Sequence, residues 1–132
     1  RLNNIGIFYY DIAYHDKALD YYGRSLAIDE ELGDKRGMGS SLNNIGNVHY
    51  YKGDYDKALD YYGRSLAIEE ELGDKSGMGH SLGNIGIVHS NKGAYDKALN
   101  NLEKSFAILK EIGAGAYDLL DTTTYLYPYT LK

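Results

Sequence analysis

Apolar and small residues recur at helical spacing in the middle of the chain. Side chains at positions i, i+3, i+4 and i+7 share one face of a helix. The residues with this spacing are Leu42, Ile45, Gly46 and His49. Glycine commonly follows a helix because it adopts the left-handed conformation without strain. Gly53 therefore predicts the end of this first helix.

A second stripe of apolar and small residues predicts a longer helix after Gly53. Asp54 and Asp56 precede this stripe and are suited to cap the helix or to interact with its dipole. Gly73 and Asp74 then predict a helix stop followed by a new start. The residues assigned to the buried stripe are Ala58, Tyr62, Ser65, Leu66 and Leu72, and Tyr22 is assigned to the core like its equivalent Tyr62.

The whole pattern repeats every 40 residues, as Gly6, Gly46 and Gly86 show. Residues 16–35 recur at 56–75 with one change, Asp29 to Glu69. A fixed period of this size is typical of stacked units, each of which buries its apolar face only against its neighbours. We therefore predict an all-α, right-handed solenoid of three helical hairpins.

The repeat boundaries follow from the same pattern. One array is predicted over residues 1–132, with repeats of about 1–33, 34–73 and 74–113. After Lys110 the pattern decays, and Pro128 would stop a helix there. Residues 114–132 are predicted to form a degenerate capping helix, as the ends of arrays commonly do.

Composition narrows the classes of partner. The net charge of −5 argues against nucleic acid or an anionic membrane, since both require a basic surface. The chain has no cysteine, which excludes a disulfide framework and fits a cytoplasmic location. It also starts inside the repeat pattern without an initiator Met, so we expect it to be a piece of a longer protein.

Neither a metal site nor a catalytic site is predicted. His49 and His89 occupy the same position in successive units, but both stand at packing positions without a carboxylate at ligand spacing. The acidic runs 29–31 and 69–71 are interpreted as solvated helix ends. Residues 37–39 lack the Lys-Ser/Thr of a phosphate loop. We therefore expect no enzyme activity, no cofactor and no metal.

The unit resembles the tetratricopeptide repeat, whose signature combines apolar residues, glycine, tyrosine and alanine at set spacings. The middle unit matches it with Leu42, Ile45, Gly46, His49, Ala58, Tyr62 and Ser65. The match covers roughly residues 1–112, with His49 in place of tyrosine and Ser65 in place of the second alanine. The period exceeds the usual one of about 34. This longer variant of the repeat is similar to the repeats of kinesin light chains, spindle adaptors and bacterial peptide-sensing regulators.

This resemblance implies that an extended peptide or protein segment binds in the inner groove along the first helices. A carboxamide can pair with both backbone groups of such a segment. The asparagines at one position of each unit would form a ladder for that purpose, although they could equally bond the neighbouring helix and fix the pitch. Tyrosines would add apolar contact area. The predicted site residues are Asn4, Tyr10, Asn43, Asn44, Asn47, Tyr50, Tyr51, Asn84 and Ile87.

Two functions therefore remain open at the sequence level. The first is a protein-interaction scaffold, whose acidic charge favours a basic or neutral segment. The second is self-assembly, because Leu2, Ile5 and Tyr9 begin the array without a preceding helix and could stack end to end with another copy. The molecular mass in solution distinguishes the two.

Overall fold

A computed structural model describes the backbone of residues 2–113 and the side chains of residues 12–113. Within this part of the chain there are five α-helices and no β-strand. The helices are α1 (Leu2–Leu32), α2 (Lys35–Tyr51), α3 (Tyr55–Leu72), α4 (Lys75–Asn91) and α5 (Tyr95–Glu111). The predicted all-helical solenoid is confirmed, whereas the predicted cap at 114–132 lies outside the described residues.

Glycines with positive φ define the turns between the helices. Gly53 and Gly93 have φ of 81° and 79° and form the turns inside the α2–α3 and α4–α5 hairpins. Between the hairpins Gly73 has φ of 68°, and the Asp74 side chain accepts a hydrogen bond of 3.0 Å from the backbone N–H of Gly77. The predicted stop and start at Gly73 and Asp74 are thus confirmed.

The first unit differs from the predicted hairpin, because α1 is one continuous helix of 31 residues. Ala13 stands where Gly53 and Gly93 make the later turns. An L-residue pays roughly 1–2 kcal/mol for the left-handed conformation, so the helix continues instead of turning. Residue 94 is an alanine at the N-cap of α5, which shows that a capping aspartate is not essential for the turn. The missing glycine is therefore the decisive difference.

The second half of α1 nevertheless packs on α2 as α3 packs on α4. Lys52 Nζ lies 3.9 Å from Asp16 Oδ1, and the equivalent residues Lys92 and Asp56 also form an ion pair. Near the other end of α1, Ser41 Oγ donates to Asp29 Oδ2 at 3.2 Å. Residues 15–32 are thus the second helix of the first unit in its expected position.

The best-covered core lies where α2, α3 and α4 meet. Ala58 and Val88 are fully buried, and Tyr62 is only 2% exposed. The expected close approach at Gly46 is present, because a Cβ placed there would lie 2.8 Å from the Tyr62 ring. Ser65, fully buried beside this core, donates from Oγ to the Gly39 carbonyl at 2.9 Å. Serine at this position therefore hydrogen-bonds as well as packs.

Two local predictions, those for Leu72 and Tyr22, were wrong. Leu72 is 42% exposed, and Ile68, one helical turn earlier, takes the buried position at that end of α3. Asp54 is the N-cap residue of α3 but makes no side-chain capping bond, and Asp56 lies in the first turn, so the two carboxylates fit the alternative of a dipole interaction. Tyr22 is only half-buried. Within the described residues no separate first helix covers it in the way that α2 covers Tyr62.

Candidate binding groove

A groove runs between α2 and α4 and contains two hollows, which we call the tyrosine hollow and the glutamate hollow. The tyrosine hollow has a volume of about 190 Å³ and is lined by Asn47, Tyr50, Tyr51, Tyr62, Asn84 and Ile87. The glutamate hollow has a volume of about 460 Å³, and its lining includes Arg36, Asn43, Glu69, Asp74, His80 and Ser81. Five of the predicted site residues thus meet in the tyrosine hollow and a sixth, Asn43, lines the glutamate hollow.

Hydrogen bonds hold the tyrosine hollow in shape. Tyr62 Oη donates to Asn47 Oδ1 at 2.5 Å, and Asn91 Nδ2 donates to Tyr50 Oη at 2.6 Å. Burial raises the pKa of Tyr62 to about 12, and the neighbouring tyrosines act in the same direction. Its phenol therefore stays protonated near neutral pH and remains a donor. Tyr51 stays 73% exposed, so its ring is free to meet a ligand.

One asparagine pair separates the two hollows. Asn84 Nδ2 on α4 donates to Asn43 Oδ1 on α2 at 3.2 Å. This bond joins the first helices of successive units, which is the structural role considered for the asparagines above. Each carboxamide has two N–H donors and an oxygen with two lone pairs. Both residues consequently retain groups that can pair with a ligand lying in the groove.

The glutamate hollow is polar and carries both signs of charge. Ser81 Oγ donates to Glu69 Oε1 at 2.5 Å. Burial raises the pKa of Glu69, while the Ser81 hydroxyl partly offsets this by favouring the carboxylate. Arg36 Nη1 lies 3.7 Å from Asp74 Oδ2 and is itself mostly exposed. Ile68 and Leu72 also line this hollow, so this end of the groove offers polar and charged groups beside apolar surface.

The remaining predicted site residues belong to the first unit or face it. Asn44 lines a further hollow of about 200 Å³ between α1 and α2, together with Tyr22 and Tyr51. The side chains of Asn4 and Tyr10 lie outside the described residues. A ladder of Asn4, Asn44 and Asn84 requires a first hairpin, whereas the backbone of α1 is one continuous helix. Because the Asn4 side chain is not described, its placement beside Asn44 stays a prediction.

The family model of the tetratricopeptide repeat matches residues 2–71 and again residues 37–111. Together these matches cover most of the chain. The chain belongs to the tetratricopeptide repeat family. A role in protein interaction is typical of this family. A comparison of the chain with curated proteins gives no match.

Solved structures share the tetratricopeptide repeat fold. A Rap protein complexed with competence and sporulation factor is 25% identical with a TM-score of 0.70, over 76% of this chain and 28% of that one. BtubC from P. vanneervenii is 23% identical with a TM-score of 0.71, over 87% and 48%. The TPR domain of Arabidopsis FLU is 21% identical with a TM-score of 0.70, over 82% and 91%. The chain thus spans less than half the length of the first two proteins.

Two features of this tetratricopeptide repeat were missed at the sequence level. Asp29 and Glu69 were interpreted as solvated, yet each is half-buried and accepts a hydrogen bond from a serine of the following helix. Ser41 and Ser81 recur at the 40-residue period, and this shared spacing was the available signal. The rest of each acidic run is exposed, as expected.

Two other kinds of site were considered for the residues that the structure describes, a metal site and a membrane span, and neither is present among them. There, no group of three or more His, Cys, Asp or Glu side chains is placed to hold a metal ion. The helices of this part of the chain also include none that is long and apolar enough to cross a membrane. The groove between α2 and α4 is the candidate functional site because five of the predicted site residues line its tyrosine hollow.

Proposed function

We propose that the groove between α2 and α4 binds an extended peptide or protein segment. The observation that carries this proposal is the convergence of five predicted residues in the tyrosine hollow. Aromatic rings there offer flat apolar area, and their hydroxyls and the adjoining carboxamides offer hydrogen bonds. This combination suits a ligand that presents side chains and backbone groups together.

The two hollows give the bound segment a direction. An apolar or aromatic side chain of the ligand fits between Tyr51 and Ile87, both of which are exposed. A polar or basic side chain fits the glutamate hollow, where Glu69 and Asp74 carry negative charge. Asn43 and Asn84 lie between the hollows and pair with the backbone that joins the two ligand side chains.

The first experiment measures binding of peptides selected from a random peptide library on the immobilised chain. We expect Tyr51→Ala to weaken binding by about tenfold or more, since exposed aromatic anchors commonly dominate such contacts. Tyr95→Ala is the matched control, because Tyr95 is 70% exposed on α5 but does not line the groove. Equal loss for both variants, or no loss for Tyr51→Ala, would reject the groove.

A second experiment assigns the asparagines. Asn84→Ala removes one member of the pair between α2 and α4, and Asn44→Ala removes the equivalent side chain beside α1. If the asparagines clamp the ligand backbone, Asn84→Ala lowers affinity by an amount equivalent to ~1–3 kcal/mol, because a ligand group is left unpaired. Asn44→Ala has the same effect if the ligand continues into the hollow between α1 and α2. Unchanged affinity with a lower melting temperature would make them structural.

End-to-end self-assembly is the second candidate function, and one observation favours it. On α5 the side chains of Leu99, Leu102 and Phe106 are exposed. Their equivalents on α3, Leu59, Tyr62 and Leu66, are buried or partly buried. Stacking of a second copy on α5 would make open chains, whose mass keeps rising with concentration. Light scattering over a concentration series distinguishes such growth from a constant mass.

A cytoplasmic location stays a prediction.

A further inference from the structure

We propose that two copies of this chain form a closed dimer by exchanging residues 2–11. In this dimer residues 2–11 of each copy pack on residues 15–32 of the other. The partner differs from the peptide, although the hollow between α1 and α2 shares Asn47 and Tyr51 with the tyrosine hollow. Its evidence is an open face on α1, the cover present on the same face of α3, and the lack of a turn at Ala13.

The open face lies on the second half of α1. Ala18 and Tyr22 are each partly exposed there and line the hollow between α1 and α2. This hollow has a volume of about 200 Å³, which leaves room for large side chains. The half-helix itself is correctly docked on α2, since the Lys52–Asp16 and Ser41–Asp29 contacts reproduce those of the next unit. Among the described side chains, this face of α1 lacks only the cover that α2 gives to the same face of α3.

The second unit identifies the occupant of such a face. There the equivalent residues Ala58 and Tyr62 are buried, with Tyr50 of α2 packed against them. Gly46 of α2 lets the Tyr62 ring approach closely, as the 2.8 Å distance to a hypothetical Cβ shows. Residues 2–11 carry the same pattern, with Gly6 and Tyr10 at the matching positions. The segment suited to the open face is thus residues 2–11.

The continuous helix decides which copy supplies that segment. Residues 2–11 lie on the same continuous helix as their target, so they cannot fold back on it without a turn. The turns of the other hairpins use glycine at positive φ, and Ala13 stands in its place. A second copy can supply the segment with no change in either helix. The exchange therefore avoids the strain that a closed hairpin would impose.

The exchange has a simple symmetric geometry. In the α2–α3 hairpin Gly46 faces Tyr62 across antiparallel helices, so Gly6 of one copy would face Tyr22 of the other. Two α1 helices would then lie antiparallel and cross near Tyr14, the midpoint of that spacing. Such an interface is isologous and closes at two copies. Ile12 and Tyr14, which are exposed on the single chain, would be covered at the crossing.

Cysteine cross-linking tests the exchange directly, because the chain contains no cysteine of its own. In the α2–α3 hairpin a Cβ on residue 46 would lie 3.3 Å from Tyr62 Cγ, a spacing compatible with a disulfide between these positions. The test variant carries Gly6→Cys with Tyr22→Cys. We expect a covalent dimer after oxidation, seen on a non-reducing denaturing gel. The matched control, Gly46→Cys with Tyr62→Cys, should give a covalent monomer.

A second measurement does not depend on the cysteine variants folding well. We expect the unmodified chain to reach about twice its monomer mass of 14.8 kDa in light scattering, and to stop there. Ala13→Gly restores the turn residue of the later units and should shift the chain toward monomer by at least about tenfold in dissociation constant. Three results would overturn the exchange: a monomer at all concentrations, a dimer unaffected by Ala13→Gly, or a covalent monomer from the Gly6–Tyr22 pair.

Discussion

Two helices with almost the same sequence have different surroundings in this molecule. Residues 16–32 of α1 and 56–72 of α3 differ only at Asp29 and Glu69. On α3 the Tyr62 side chain is buried, whereas Tyr22 at the same position of α1 is half-exposed. The difference lies before the matching segments, where all four residues of 12–15 differ from those of 52–55 and Ala13 stands in place of Gly53. Burial in a repeat is thus decided by the turn as well as by the buried side chain.

The largest effect expected from this comparison is at the two tyrosines. Tyr62→Ala should lower the free energy of unfolding by about 3–5 kcal/mol, because a large, fully buried ring is removed and leaves a cavity. Tyr22→Ala should cost about half as much or less, since its ring is partly in water already. Urea unfolding of both variants measures the difference.

Concentration sharpens the tyrosine test. Dilute samples, in which the chain is monomeric, should show the full difference between the two variants. If copies exchange residues 2–11 at high concentration, Tyr22 becomes covered and the two costs should converge. Equal costs in the dilute monomer would contradict the description of Tyr22 as half-buried.

The next effect is at the turn itself. Gly53→Ala gives the second unit the turn residue of the first, and the φ of 81° at this position becomes strained. We expect a loss of roughly 1–2 kcal/mol in the free energy of unfolding, with partial straightening of the α2–α3 hairpin as the alternative to strain. Gly63→Ala is the control, because a Cβ there meets no atom within 4 Å. That control should raise stability by up to about 1 kcal/mol.

The sequence alone predicts most of the fold because helical spacing and the 40-residue period are strong, redundant signals. Gly53, Gly73 and Asp74 marked their turns correctly. The continuous helix α1 was not predicted. Residues 16–35 and 56–75 are so similar that the first unit was expected to form a hairpin like the second. Ala13 was the contrary signal, and a single residue has little weight against a repeated segment of that length.

The candidate site was predictable in outline only. Tyr51 and Ile87 follow from a helix face that the core does not use, whereas Tyr50 also packs against the core. The Asn84–Asn43 bond depends on the offset between neighbouring helices, which no single-helix pattern contains. The partial burial of Glu69 was missed for the same reason, since its partner Ser81 belongs to the next unit. Contacts between units are thus harder to predict than those within a helix.

A smaller effect is expected at the serines that replace the family's second alanine. Ser65 is fully buried and donates to the Gly39 carbonyl at 2.9 Å, so Ser65→Ala should cost about 1 kcal/mol. Ser25, its equivalent on α1, has a weaker contact of 3.4 Å with Ser41 Oγ, and Ser25→Ala should change stability by a few tenths at most. Thermal unfolding of the two variants checks this. A larger loss for Ser25→Ala would reverse the comparison.

The smallest effect is a difference in pH dependence between the units. Burial lowers the pKa of His49 below 6.5, because the folded state disfavours the charged imidazole. Its Nδ1 lies 3.6 Å from Asp54 Oδ2, too far for a strong hydrogen bond to offset that cost. The unfolded chain therefore binds the proton first as the pH falls. Stability from this residue is present above about pH 6.5 and is lost progressively below it.

The first unit has Tyr9 at this position, so His49→Tyr copies it into the second. We expect the fall in stability below pH 6.5 to become shallower but to persist in part, since burial lowers the pKa of His89 as well. Glu69, whose raised pKa adds stability as the pH falls, is best removed from the comparison with Glu69→Gln in both proteins. Urea unfolding across this pH range gives the slopes. Identical slopes with and without His49 would show that its protonation does not contribute to acid unfolding.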